Sequence, residues 1–389
     1  MEYREIGKLF SYVSRGKSPK YVDSSEICII NQACIRWDGI DFSKIKYQDS
    51  NAYKEEMRLH EGDVLLTSTG TGTLGRCCIF HSPDQRVYIA DSHVTILRNT
   101  QQLLPKILCL FLRTQKGQEK IYSECVNGST NQIELSKEKL KKLIIPVHNK
   151  EVQQTVIDKT DRISNLISLR KTELIELDTL VKARFVEMFG DPLLDNARYP
   201  RVALGSVAEV GSSKRIFEKE YVSDGVPFYR TKEIVELSKG SKISTELFIT
   251  RERYNEIRRE YGVPQAGDLL ISAVGTIGII WIVDGKNDFY FKDGNLLRIG
   301  LSQNFNPIYL KVLLEALIGA YKQEMSSGTA YAALTISALK EMLVYEVPIK
   351  EQEQFSAFVT QVNQTKSVVQ KALDEAQTLF DSLMQQYFG

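Results

Sequence analysis

Apolar residues recur along this chain at two periods, and the two alternate. Between Val152 and Met188 they fall at steps of three and four, at Val156, Ile163, Leu166, Ile167, Leu174, Leu177, Val181 and Phe185. That spacing builds one stripe along an α-helix. The stretch from Phe355 to Tyr387 repeats it with Phe358, Val362, Val369, Leu373, Ala376, Phe380 and Leu383. Neither proline nor glycine interrupts the two stretches before Gly190 and Gly389. Each therefore predicts a helix of nearly forty residues, about 55 to 60 Å at 1.5 Å per residue. A helix that long with a single apolar stripe needs a partner, and the other stretch is a partner of equal length. Ahead of each helix the pattern shortens to runs that read as strands: Glu26 to Asn31, Val64 to Thr67 and Val94 to Leu97, then Val226 to Arg230, Leu269 to Ser272 and Leu296 to Ile299. A helix opening at proline follows each set, at Pro105 and at Pro307, because proline is tolerated in the first helical turn.

The two halves also share their wording, about 200 residues apart. EGDVLLTSTGTGTLG from Glu61 matches AGDLLISAVGTIG from Ala266. Ile6-Gly7 matches Leu204-Gly205, Leu97-Arg98 matches Leu297-Arg298, Gly128-Ser129 matches Gly328-Thr329, and PVHNKEVQQ from Pro146 matches PIKEQEQ from Pro348. Each copy closes on Phe-Gly, at Phe189-Gly190 and Phe388-Gly389. A period this long means duplicated domains, since solenoid repeats run about 20 to 50 residues. A chain of 389 residues also exceeds what one hydrophobic core usually holds.

With 43% hydrophobic and 25% charged residues the composition is that of an ordinary folded protein. The longest apolar stretch, Leu269 to Val283, is broken by Ser272, Gly275, Thr276 and Gly278 and is too short for a membrane span. It reads as two buried strands and a turn. The start, MEYREIGKLF, lacks the features of a secretory signal, so a cytoplasmic address is expected. All six cysteines (Cys28, Cys34, Cys77, Cys78, Cys109, Cys125) lie in the first copy without Cys-x-x-Cys spacing. That excludes a disulfide framework or zinc site required by both copies. His60, His81, His93 and His148 likewise have no counterparts. The net charge of +1 divides unevenly. Met1 to Lys150 holds 22 basic and 17 acidic residues (+5) and Ala197 to Lys350 holds 20 and 18 (+2). Glu151 to Asn196 holds 6 and 9 (−3) and Glu351 to Gly389 holds 2 and 5 (−3). Positive charge on the globular parts suits nucleic-acid contact there.

Two motifs mislead. Gly70 to Gly75, GTGTLG, fits the dinucleotide fingerprint, but that fingerprint needs a helix directly after it, and here the strand-like RCCIF follows. Asn306 to Tyr309, NPIY, is one residue from an adenine methyltransferase site, yet its duplicate is LPKI. No phosphate-binding loop, zinc-protease motif or nucleophile elbow occurs, and no candidate catalytic set recurs in both copies.

The ordered duplication of Gly-Asp, apolar strand, Gly-Thr-x-Gly turn, Gly-Ser/Thr turn and long helix resembles the specificity subunit of type I restriction-modification systems, over essentially the whole chain. The resemblance implies an α+β architecture of two duplicated globular α/β target recognition domains, separated by two long helices that pair as an antiparallel coiled coil. Its segments would be 1–150, recognition domain; 151–190, spacer helix; 191–200, linker; 201–348, second recognition domain; and 349–389, second spacer helix. Each domain would read one half of an interrupted DNA target, and the helices would set the gap and carry two modification (adenine methyltransferase) subunits. This chain would be non-catalytic and bind no cofactor; S-adenosylmethionine, ATP and magnesium would belong to the modification and restriction subunits.

Candidate base and phosphate readers are the basic and amide residues of the non-periodic segments. In the first domain they are Arg15, Lys17, Asn31, Gln32, Arg36, Arg76, Asn131 and Gln132, and in the second Lys214, Arg215, Arg230, Lys232, Arg251, Arg253 and Tyr331. Arginine suits guanine, asparagine and glutamine suit adenine, and lysine more often meets phosphate. Two alternatives differ in kind. One is a structural paired-helix scaffold without DNA readout, which leaves two retained globules unexplained. The other is a bifunctional methyltransferase, which would need a glycine-rich cofactor loop and a complete Asn/Asp-Pro-Pro-Tyr-type site.

Overall fold

A computed structural model describes the chain except residues 71, 101, 129–132, 195–197, 244, 301–302 and 327–332. It divides into two compact units, Met1–Lys171 with Lys371–Gly389, and Thr172–Gln370. The long helices run Lys150–Phe189 and Ile349–Phe388, and each contributes to both units.

The first unit holds a four-stranded antiparallel sheet in the order Phe10–Arg15, Val94–Thr100, Val64–Thr67, Cys77–Ile79. The second unit repeats that order with Glu209–Gly211, Leu296–Gly300, Leu269–Ser272 and Ile280–Ile282. A second sheet is duplicated as well. Val87–Ala90 lies parallel to Ile27–Ile30, and Lys46–Gln48 then Tyr21–Val22 complete the sheet. Tyr290–Phe291 lies parallel to Val226–Tyr229, followed by Phe248–Ile249 and Tyr221–Val222. Even the terminal ribbons match, Glu2–Glu5 with Ile144–Val147 and Arg201–Ala203 with Leu343–Tyr345.

The apolar runs follow from burial on both faces. Side chains alternate across a strand, and Val64, Leu66, Cys77 and Leu97 enter one core while Leu65, Cys78 and Ile96 enter another. In the second unit Leu269, Ile271 and Leu297 face one core while Leu270, Trp281 and Leu296 face the other. A strand covered on both sides reads as a continuous apolar run, not as an alternation. Helices Pro105–Arg113 and Pro307–Ser326 start at proline as expected. The copies diverge between strands Ile27–Ile30 and Val64–Thr67 in the first unit and between their counterparts Val226–Tyr229 and Leu269–Ser272 in the second. The first unit has a short hairpin, Ile35–Arg36 with Gly39–Ile40, whereas the second has helices Thr231–Ser238 and Arg251–Glu260.

Within each unit, the start of one long helix packs near the end of the other. In the first unit Val156 and Ile163 share a core with Phe380, Met384 and Phe388, and His148 Nε2 lies 3.2 Å from the carbonyl of Tyr387. In the second, Phe185 and Phe189 meet the Phe355 ring with centroids 5.5 Å away, Val181 and Phe358 pack alongside, and Lys366 pairs with Asp178 at 2.6 Å. The segments therefore run antiparallel in each unit. Leu166 departs from the expected stripe, with half its surface exposed. At about 100° per residue it sits about 100° around the helix from Ile167, which does pack on the core. Leu174, Leu177, Leu373 and Leu383 are half-buried, and Val362 and Val369 are buried. Val359 and Met384 also belong to the buried face. No helix among the described residues is long and apolar enough to cross a membrane.

Candidate nucleic-acid interface

Each unit is built around one hairpin. After strand Val64–Thr67 the chain reverses through Gly70 to Gly75, and the Thr67 hydroxyl donates to the carbonyl of Arg76 at 3.1 Å. Ser272 closes the duplicate turn, its hydroxyl accepting from the amide of Ile279 at 2.9 Å. Gly278 is required twice over. Its φ is +86°, and a Cβ there would stand 2.7 Å from Ile318 Cγ2. The turn leads into a strand in both copies, so no helix N-terminus meets a phosphate as a dinucleotide would need.

At the end of the first hairpin several sequence-chosen residues converge. The Thr69 hydroxyl donates to Gln32 Oε1 at 3.0 Å and lies 2.9 Å from His93 Nδ1. Arg76 donates to the carbonyls of Ile35 and Gly72 at 3.4 and 3.3 Å. Arg15 pairs with Glu134 and donates to the Leu135 carbonyl. Asn31 is 8% exposed and braces the neighbouring loop, accepting from Ala33 N at 2.8 Å and donating to Lys44 O at 2.9 Å. Arg36 pairs with Asp41 at 3.5 Å and Lys17 with Glu56. Asn131, Gln132 and Tyr331 lie outside the described residues.

The second unit spends its cations differently. Glu233, fully buried, accepts from the Arg230 backbone at 2.8 Å and from its guanidinium at 3.0 Å, so this pair opens helix Thr231–Ser238. That hydrogen bond raises the Arg230 guanidinium above its usual range. Arg253 is held by Glu220 and Glu256, each at 2.9 Å. Arg215 pairs with Asp293 at 2.8 Å. Lys214 lies 4.8 Å over the Tyr261 ring, and Lys232 is exposed. Arg251 pairs with Asp288 and holds that carboxyl below its ordinary value. Both line a cavity of about 470 Å³ with Tyr229, Lys286 and Asn287. Sequence reasoning missed Lys286 and Asn287, although Asp284-Gly285 marks the turn that presents them. It also missed Thr231 Oγ1 and Glu236 Oε2, which, like Nε of the candidate Arg230, are buried with no hydrogen-bond partner among the described residues.

These pairs sort the candidates. Exposed ion pairs contribute about 0 to 1 kcal/mol and exchange readily, so Lys17, Arg215 and Arg251, more than half exposed, can trade carboxylate for phosphate. Arg15, Arg230 and Arg253 are a third exposed or less and brace local structure. Among the described residues no group of three or more His, Cys, Asp or Glu side chains could hold a metal. Burial pushes the Cys34 and Cys125 thiols up to about 11 and 12, away from the thiolate a nucleophile needs.

Comparison with known proteins agrees with the duplication. The family described as type I restriction modification DNA specificity domain matches residues 1–179 and again 199–377. A type I restriction enzyme specificity subunit of Haemophilus influenzae is 26% identical over 349 residues, covering 87% of this chain and 86% of that protein. A solved chain from a study of assembly and conformational transition of the type I restriction-modification system aligns with a TM-score of 0.60 at 16% identity, over 100% of this chain and 97% of that one. The type I S subunit of M. genitalium aligns with a TM-score of 0.57 at 15% identity, over 100% and 96%.

Proposed function

The chain belongs to the type I restriction-modification DNA specificity family and carries two copies of its recognition domain, and from that premise we propose that each copy reads one half of an interrupted duplex target. The long helices set the gap between the halves and carry two modification subunits, with restriction subunits joining the same complex. The duplicated frame supports this reading most directly. Both units keep the same sheets, hairpin and helix anchors, and they differ in the elements set between them, a short hairpin in one and two helices in the other. In this reading the cytoplasmic chain itself catalyses nothing and binds no cofactor. Methyl transfer from S-adenosylmethionine, and ATP- and magnesium-dependent cleavage, belong to its partners. The reachable cations, Lys17, Arg215, Lys232 and Arg251, meet phosphates, while Gln32 and Arg76 meet base edges in the first half-site, where Asn131 and Gln132 are further candidates. Arg36, Lys214 and Tyr331 complete the set.

Helix geometry supplies the test. Four residues inserted between Lys171 and Thr172 add about 6 Å and turn the following stripe by only about 40°. That is close to two base-pair steps at about 3.4 Å each. The complete complex should then methylate the same half-sites with a gap one or two base pairs wider. An active complex with an unchanged gap would falsify the assignment of these helices as the ruler.

A further inference from the structure

Two glutamines occupy equivalent places at the foot of the long helices and make the same three hydrogen bonds. Gln153 is 1% exposed. Its Oε1 accepts from Leu104 N at 2.7 Å, and its Nε2 donates to the carbonyls of Gln102 at 2.9 Å and His148 at 2.7 Å. Gln352 is fully buried. Its Oε1 accepts from Asn306 N at 2.8 Å, and its Nε2 donates to the carbonyls of Asn304 at 2.9 Å and Val347 at 2.7 Å. Each amide therefore joins three stretches of backbone: the first turn of the long helix, the end of the preceding strand or loop, and the loop ahead of the helix that opens at proline.

All six partners are backbone atoms. The side chains at those positions differ between copies, Gln102 against Asn304, Leu104 against Asn306 and His148 against Val347, yet the bonds agree within 0.1 Å in each pair. A buried amide with its bonds satisfied rigidifies its surroundings, because an unmade bond there costs the full desolvation of the orphaned group. A hydrophobic residue of the same length would fill the space without fixing the three segments to one another.

We propose that Gln153 and Gln352 are positioning residues that fix the angle at which each recognition domain leaves its long helix, and thereby the gap the protein accepts. This rests on the reading of the helices as the ruler. The test uses the complete complex with its modification subunits, on a DNA library in which the two half-sites stand at varied separations. Gln153→Met and Gln352→Met keep length and lose all three bonds. Each should methylate the same half-sites while the ratio of methylation at gaps one base pair off to methylation at the native gap rises about tenfold, the effect of roughly one lost hydrogen bond. Where a methionine variant does not assemble, Gln153→Glu and Gln352→Glu carry the test, since they keep the acceptor and give up the donors, and the same ratio should rise. A ratio within about twofold of the wild type, in a background where the four-residue insertion does widen the gap, overturns the proposal and leaves the ruler standing. If the insertion also leaves the gap unchanged, the ruler fails and the proposal falls with it.

Discussion

Removing the Asp63 carboxylate should destabilise the first unit more than any exposed charge change in the chain. Asp63 is 1% exposed and accepts from Arg98 Nε at 2.7 Å, from Arg98 Nη2 at 2.6 Å and from the His60 amide at 2.8 Å. Asp63→Ala leaves the guanidinium, 13% exposed, with the Arg58 carbonyl at 2.9 Å as its remaining close acceptor, and strands the His60 N–H. Breaking a buried pair by removing one partner costs about 3 to 5 kcal/mol. A urea m-value for a unit of this size is about 2 to 3 kcal/mol/M, so the midpoint should fall by roughly 1.5 M. Trp37 lies in the first unit and Trp281 in the second, so a Trp281→Phe background lets fluorescence follow the first unit alone. Replacing both partners, Asp63→Leu with Arg98→Met, should recover most of the loss, because no charge is then left buried. A midpoint drop below about 0.3 M for the alanine variant, or a double variant no better than the single, would refute the reasoning.

Three further outcomes are expected. Ile163→Ala should cost about 2 to 4 kcal/mol and Leu166→Ala under about 0.5, read by thermal unfolding, since Ile163 is 8% exposed and Leu166 is 50% exposed. Burial raises the Cys34 and Cys125 thiols from 9.0 to about 11 and 12. The folded chain then holds those protons longer than the unfolded one, so this stabilisation is complete below pH 9 and is lost as pH rises towards 12. The urea midpoint should fall more steeply over that range than in a Cys34→Ala, Cys125→Ala variant. In the complete complex, Lys232→Ala should reduce the slope of log affinity against log salt by about 0.9, whereas Arg15→Ala should leave the slope unchanged and lower the melting temperature.

The duplication was legible because it is written in residues that the fold uses twice. Gly62-Asp63 and Leu97-Arg98 match Gly267-Asp268 and Leu297-Arg298 because in each unit that aspartate and arginine form one buried pair, at 2.6 Å in both. The strand bounds followed from apolar runs, which burial on two faces produces. Other matches were drawn by letter and misplaced by geometry. Pro146 and Pro348 look like counterparts, yet Pro348 stands where Asn149 does, each carbonyl accepting from the amide of its glutamine. Leu166 looked like a pairing residue because steps of three and four admit flanking positions as readily as central ones. The helices Thr231–Ser238 and Arg251–Glu260 escaped notice because charge dominates them and their few buried apolar residues, Ile234, Tyr254 and Ile257, make no run. The candidate readers were chosen by type, and type does not reveal which arginine a neighbouring carboxylate already holds.

The buried pairs and the glutamine clamps close within their own unit: Asp63 with Arg98 and Gln153 with the loop at Gln102, Asp268 with Arg298 and Gln352 with the loop at Asn304. A replacement at any of them is compensated, or not, by a neighbour in the same copy, and the other copy need not change in step. The two halves can therefore accumulate substitutions as separate lineages inside one gene. Selection acting on one half-site can rewrite the hairpin of Ile35 to Ile40 without disturbing the helices at Thr231 and Arg251. Only the helix seams, where Val156 packs with Phe388 and Phe185 with Phe355, require both copies to agree, so the rest of the frame is free to become asymmetric wherever it faces outwards.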